Sequence, residues 1–358
     1  MRASDMRTSQ RTPLSVSYAP TAEAMENFAL RREHILSIVT FNPLSTSEAH
    51  PESPRGTVEI PLSLSGSDLC EIWSTDQPVI SADFFDITYR RSQDFIFGGI
   101  TQAIACPTGQ NGDHGPSSLQ VRTEEAYRQI FTLLEGIEHH RLLRVWNWIP
   151  DINSNTRGLE HYRQFNIGRQ NAFIAHNRLS DTGSIPAATA VGSRAEALIV
   201  HFLAGRCVPV ALENPRQVEA YRYPEKYGPR SPTFSRGGWI DLGQQNILFI
   251  SGTASIVGHS TMHAGDAAAQ TRESIHNIAA IVAEANRMAR GDVYDLNLLS
   301  YRVYFRNKQD LTKIRAELDR LIQPFATTLY LQADICRADL LVEIEATAGL
   351  LNRDDGHR

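Results

Sequence analysis

An internal repeat constrains this chain most, because a segment that occurs twice has to reach the same local structure twice. Phe95-Ile-Phe-Gly-Gly-Ile-Thr101 resembles Leu248-Phe-Ile-Ser-Gly-Thr-Ala254, each an apolar strand running into glycine. Thr123-Glu-Glu-Ala-Tyr-Arg-Gln-Ile130 and Thr271-Arg-Glu-Ser-Ile-His-Asn-Ile278 follow, each with Thr as the expected N-cap and Glu in the first turn. Helical spacing then predicts that Ile130, Leu133 and Leu134 are buried in one copy and Ile275, Ile278, Ile281 and Val282 in the other. Apolar, aromatic strands come next, Leu142 to Ile149 and Leu298 to Phe305, and helices over 158–176 and 309–322. Strand, helix, strand, helix, strand in duplicate predicts an α+β fold with helices packed on one face of each sheet.

The second copy closes on Leu329 to Thr347. Leu340, Val342 and Ile344 point one way and Leu341, Glu343 and Glu345 the other. Leu329 to Gln332 reads as a further strand and residues 334–339 as a connection, so an antiparallel hairpin is expected. Taken alone, Glu343 and Glu345 fit the wet face of a half-exposed sheet.

Composition narrows the function classes. A net charge of -5 provides no field for wrapping nucleic acid or binding an anionic membrane. No apolar run is long enough to span a bilayer, and the first residues lack a signal-peptide core. Cys70, Cys106, Cys207 and Cys336 are scattered, as free thiols in a reducing compartment would be, so a cytoplasmic chain is expected. Residues 1–25, rich in Ser, Thr, Arg and Pro, read as a disordered tail, with units over 26–180 and 181–358. Residues 43–55, with Pro43, Pro51 and Pro54, read as a loop.

Two polar stretches stand out. Tyr221, Tyr223, Tyr227-Gly-Pro-Arg230-Ser-Pro232 and Arg236 lie between the copies, and the prolines stiffen the backbone around Arg230. That suits either a fixed arginine fork or a plain surface connection. His259, His263 and Asp266 have i, i+4 spacing, but Gly258 and Gly265 flank them and no zinc-protease Glu accompanies them. No metal is expected.

The repeat unit and its closing Val342-Glu-Ile-Glu-Ala346 resemble the YjgF-like family. A closer resemblance is to the chorismatases, which carry two fused YjgF-like domains in one polypeptide, each a mixed sheet packed on two helices. Its carriers are Arg144-Val-Trp-Asn-Trp148 with Ile152-Asn153; Gly158-Leu-Glu-His-Tyr162-Arg163-Gln-Phe165 with Gly168-Arg169; Pro186-Ala-Ala-Thr189 with Gly192; Tyr227-Gly-Pro-Arg230; and Gly258-His259 through His263, Gly265 and Asp266.

The resemblance implies a cofactor-free lyase that takes chorismate as its small-molecule partner and releases pyruvate, working as a monomer. Chorismate's two carboxylates call for cationic forks, and its ring for an apolar wall. Arg163, Arg169 and Arg230, with Tyr162 and Tyr227, are the matching substrate-binding residues; Arg302 and Arg306 rank lower as solvent-face residues. Glu343 takes the role of the acid that protonates the enol carbon, which needs a raised pKa. Glu345, about 7 Å along the same strand face, would help raise it. Hydrolysing chorismatases resemble one another in having Ala at the positions of Gly252 and Cys336. Gly and Cys here match the type that forms 3-hydroxybenzoate, with some 4-hydroxybenzoate as a side product. A free cysteine is also commonly a small buried hydrophobe. A chorismate hydrolase and a YjgF-like binder without turnover remain open.

Overall fold

The computed structural model describes residues 13–41, 57–60, 62–65, 68–104, 115–137, 140–179, 185–322 and 326–350. Residues 1–12 of the expected tail, the proline loop and Cys106 lie outside them.

Both copies of the repeat form with one topology. In the first, hairpin strands β6 (Ile80–Phe84) and β7 (Ile87–Arg91) lead into β8 (Phe95–Ala103), helix α2 (Ser118–Gly136), β9 (Arg141–Pro150), a small ribbon of β10 (Asn155–Thr156) and β11 (Leu159–Glu160), and α3 (His161–Ala175). Strands β12 (Ala187–Ser193) and β13 (Ala197–Gly205) complete its sheet in the order β12-β9-β13-β8-β7-β6. The boundary expected at 180 therefore falls inside this unit, which runs to Gly205. The second copy comprises β14 (Val210–Leu212), β15 (Gly237–Asp241), β16 (Asn246–Ala254), a ribbon of β17 (Ile256–Val257) and β18 (Ser260–Thr261), α4 (Ala267–Ala289), β19 (Ser300–Phe305), α5 (Leu311–Leu321), β20 (Thr328–Gln332) and β21 (Val342–Ala348). Its main sheet, β14-β15-β16-β21-β19-β20, repeats the order of the first.

Strands β20 and β21 are not a hairpin. β19 lies between them, parallel to β20 and antiparallel to β21. Alternation reports which face a residue takes, not which strand lies beside it. Each main helix also starts earlier than its Thr: Ser117 caps α2 through the Gln120 amide, and Asp266 caps α4 through Ala269. Thr123 and Thr271 are buried inside the helices, each donating its hydroxyl to the carbonyl four residues back, Leu119 and Ala267.

The N-terminal segment is a third, shorter turn of the same design. β1 (Leu14–Pro20), α1 (Thr21–Arg31), β2 (Ile35–Phe41), β3 (Thr57–Ile60) and β5 (Leu69–Thr75) form a sheet ordered β1-β5-β2-β3. β5 is antiparallel to β1 and β2, and β3 is parallel to β2, as in β8-β13-β9-β12 and β16-β21-β19-β20. Residues 13–25 are thus no tail. Leu14, Val16 and Ala24 are fully buried, and the Gln245 amide clasps both backbone polar groups of Leu14. Between them, the two-residue strand β4 (Ser63–Leu64) reaches across to pair with β20.

Each sheet has a helix-covered face. Phe28 of α1 packs with Ile38 and Ile72, Ile130 and Phe131 of α2 with Val145 and Phe202, and Ile278 and Ile281 of α4 with Val303 and Ile344. The other three faces meet in one shared core of Val16, Trp73, Phe97, Trp146, Phe249, Tyr304 and Leu331. Glu343 and Glu345 alternate with Val342, Ile344 and Ala346, so they point into this inter-sheet space rather than to solvent, and each is only 4% exposed. Among the described residues, no helix is long and apolar enough to cross a membrane.

Candidate active site

A buried carboxylate needs donors, and Glu345 has a full set. Oε2 accepts from Arg144 at 2.7 Å and from the Thr189 hydroxyl, and Oε1 accepts from the Trp146 indole at 3.0 Å. Arg302 Nη1 stands 3.2 Å from Oε1. On its other side, Arg302 grips Glu71 of β5 with Nε at 2.6 Å and with Nη2. Burial opposes the charge on Arg302, yet Glu71 and then Glu345 outweigh it and leave its pKa raised. Glu71, Arg302, Glu345 and Arg144 thus form a chain through all three sheets, with two charges of each sign.

Glu343 has no such partners. Burial, and then the neighbouring Glu345 carboxylate, push its carboxyl up from 4.5 to about 8, so it carries a proton at neutral pH. The Cys336 thiol donates to it, with Sγ 3.8 Å from Oε2. Burial and the Glu343 charge raise the thiol too, which keeps it neutral. Cys336 sits in the 333–341 connection, which is tied down from both sides. Arg306 holds the carbonyls of Ile335, Arg337 and Leu340 and pairs with Asp334 at 2.5 Å. The Asn153 amide and the Gly192 N–H donate to the carbonyls of Ile335 and Asp334.

A cavity of about 270 Å³ opens over Glu343, between the edge strand β12 and strands β16 and β21. Ala188, Ala190, Gly252, Ala254, Ile256 and Phe234 give it apolar walls. Four arginines line it. Arg169 is 1% exposed, bonds Asn166 at 3.0 Å and lies over the Phe165 ring; its Nε has no partner. Arg236 bonds the Val218 carbonyl and the Tyr223 hydroxyl, and its Nε is likewise unpaired. Arg337 lies 4.2 Å from the Tyr227 ring centroid and holds the His259 carbonyl at 3.0 Å. Arg163 makes a 3.4 Å contact with Glu160. An apolar slot lined by guanidinium groups with one protonated carboxyl suits a small, ring-bearing polycarboxylate and a proton transfer to it.

The family description "Chorismatase FkbO/Hyg5-like, N-terminal" matches residues 71–204. A protein named 3-hydroxybenzoate synthase from Streptomyces hygroscopicus is 35% identical over 87% of this chain and 91% of its own. A chorismatase from Streptomyces rapamycinicus is 36% identical over 77% of this chain and 80% of its own. The chain belongs to the chorismatase family. A crystal structure titled as a chorismatase, 29% identical, superposes with a TM-score of 0.80 over 94% of this chain and 99% of its own.

Most of the residues expected at the site do converge on this cavity. Glu343, Cys336, Gly252, Tyr162, Arg163, Arg169 and Tyr227 all line the cavity. Arg230 does not: it is exposed in the stiff loop, and Arg236, six residues on, lines the cavity instead. Pro232 lies between them, buried and lining the cavity itself, so proline marked the right loop but not the right arginine. Arg302 and Arg306 are not solvent-face residues; the first is 6% exposed in the network and the second anchors the Cys336 loop. Arg337 and Arg144 were missed as site residues. Arg144 did carry a signal, a lone cation inside an apolar strand, which demands a buried carboxylate. His259 and His263 are not on a helix. His259 accompanies the β17–β18 ribbon and packs its ring on Tyr227, and His263 sits at φ 57 with its Nε2 3.7 Å from Glu273.

Proposed function

We propose that this protein cleaves the enolpyruvyl ether of chorismate, giving 3-hydroxybenzoate and pyruvate, with Glu343 as the general acid. The observation that carries the proposal is a buried carboxyl held protonated to about pH 8 at the floor of an arginine-lined cavity. The sequence likeness to a protein named 3-hydroxybenzoate synthase supports the choice of product.

Arg169, Arg236 and Arg337 offer guanidinium groups to the two substrate carboxylates, while Ala188, Ala190 and Phe234 face the ring. Glu343 delivers its proton to the terminal enol carbon, and its carboxylate then stabilises the oxocarbenium ion. The neighbouring ring hydroxyl, in place of water, then attacks the ether-bearing ring carbon and loses its proton to the Glu343 carboxylate. The ring carbon–ether oxygen bond breaks, pyruvate leaves with that oxygen as its ketone, and the strained epoxide opens with loss of the ring proton to the aromatic acid. Chorismate has the summed composition of the two products, so neither water nor a redox cofactor is consumed. Gly252 leaves the Glu343 carboxyl room, and the neutral Cys336 thiol donates to it. The shared inter-sheet core closes within one chain, which supports a monomer; free thiols at Cys70, Cys207 and Cys336 support a reducing cytoplasm.

Chromatography of a chorismate reaction tests the reading: 3-hydroxybenzoate with equimolar pyruvate is expected. A dihydroxycyclohexadiene carboxylate as main product would replace it with hydrolysis, and bound but unconverted chorismate with a binding role.

A further inference from the structure

Among the described residues the N-terminal sheet contributes none to the cavity lining, yet it holds one end of the charge chain that stops beside the acid. We propose that Glu71 is a positioning residue for the reaction, setting through Arg302 the charge that Glu345 presents to Glu343. The inference rests on Glu343 being the acid.

The geometry leaves Arg302 shared between two carboxylates, with Nε and Nη2 on Glu71 and Nη1 toward Glu345. With Arg144 on the far side, the four charges cancel. The tyrosines, histidine and thiol packed against the chain are neutral. Tyr304 of β19, Tyr18 of β1 and Tyr162 of α3 keep their protons because burial raises them, as does the Cys336 thiol. His201 of β13 is uncharged because burial holds it near 3. Arg236 and Arg337 act on Glu343 and Cys336 from the cavity side, away from Glu71. The two ion pairs and the cavity arginines together set the charge balance beside Glu343, and Glu71 is the member that can be neutralised without touching the cavity.

Glu71→Gln keeps the side chain's shape and its capacity to accept from the Trp73 indole, now at 3.2 Å. It leaves the network with one net positive charge, which favours the ionised form of Glu343. A general acid works while protonated, so the alkaline limb of the kcat profile should move to lower pH, by roughly half a unit for one charge acting through a buried pair. Glu71→Gln/Arg302→Met removes a cation as well, and the cation is nearer the acid, so the limb should return to the wild-type position or above it. This double variant carries the test if the single one does not fold, since an apolar replacement of a buried pair is often tolerated. Glu345→Gln removes the adjacent charge directly and calibrates the limb.

A folded Glu71→Gln enzyme with the wild-type limb, while Glu345→Gln shifts it, overturns the inference and leaves the acid in place. A double variant whose limb lies below the wild type overturns it too. A limb that Glu345→Gln leaves unmoved, with Glu343→Gln still active, sinks the acid assignment itself.

Discussion

Gly252→Ala places a methyl group where the acid's carboxyl now stands. An ideal Cβ at Gly252 lies 2.9 Å from Glu343 Cδ, closer still to Oε1, and 3.0 Å from Thr189 Cγ2. Ordinary contact begins at 3.4 Å. Cδ must retreat by half an ångström, and Oε1 has to travel farther. Thr189 cannot give way freely, because its hydroxyl is bonded to Arg144 at 2.5 Å, to Glu345 and to the Gly252 N–H at 3.0 Å. The flexible Glu343 side chain moves instead, and the proton is aimed away from the enol carbon. A misplacement near 1 Å costs about 10²-fold in rate, so kcat for 3-hydroxybenzoate should fall by that order while KM changes little. Cys336→Ala removes the thiol against Glu343 and gives the displaced carboxyl room. The double variant should therefore regain turnover, with the dihydrodiol acid now a major product. Steady-state kinetics on the single and double variants, with chromatography of products, make the measurement. Unchanged kcat and product in Gly252→Ala, or strictly additive effects of the two changes, would refute this steric account.

Glu343→Gln should bind chorismate but lose about 10²-fold or more in kcat, the scale of general acid catalysis; near-normal turnover in a folded variant counts against the assignment. Wild-type kcat should hold below about pH 8 and decline above it, as the raised carboxyl loses its proton; a profile flat to pH 9.5 argues for another acid. The same shift bears on stability, because a carboxyl raised from 4.5 opposes folding increasingly as pH climbs from 4.5 to about 8. Glu343→Gln should consequently stabilise the fold at pH 9, on the order of a few kcal/mol and read as a higher Tm, and leave Tm unchanged at pH 4; thermal melts at the two pH values decide. Arg236→Lys should raise KM by roughly tenfold or more, through loss of a charged, forked hydrogen bond. Arg230→Lys, on the exposed part of the same loop, should leave KM alone, and the reverse pattern would restore Arg230 to the site.

The duplicated order of strands and helices was readable because the same apolar spacing recurs at both Phe95 and Leu248. Strand neighbours were not, since β19 enters between β20 and β21 from earlier in the chain. The first sheet escaped notice for a compositional reason. Leu14-Ser-Val16-Ser-Tyr18 alternates in strand fashion, but its serines and the flanking polar residues look like a tail until the partner faces are known. At the site, carboxylates were easier to place than cations. Glu343 and Glu345 share a strand face by period alone, whereas the Arg236 and Arg337 positions depend on a loop and a connection whose paths only the folded chain defines. Glu345 also shows the limit of reading a polar face as wet: its neighbours are arginines 43 and 201 residues away in sequence.

Three sheets of one design in a single polypeptide have a consequence for how such a protein diversifies. In an assembly of identical subunits any substitution is written into every cleft at once, so a residue that improves one site is imposed on all. Here a codon change touches one seam only. Glu343 at one junction could acquire an acid's environment while Glu71, at another, was committed to an arginine. Division of labour among the seams is available to the fused chain and denied to a symmetric trimer.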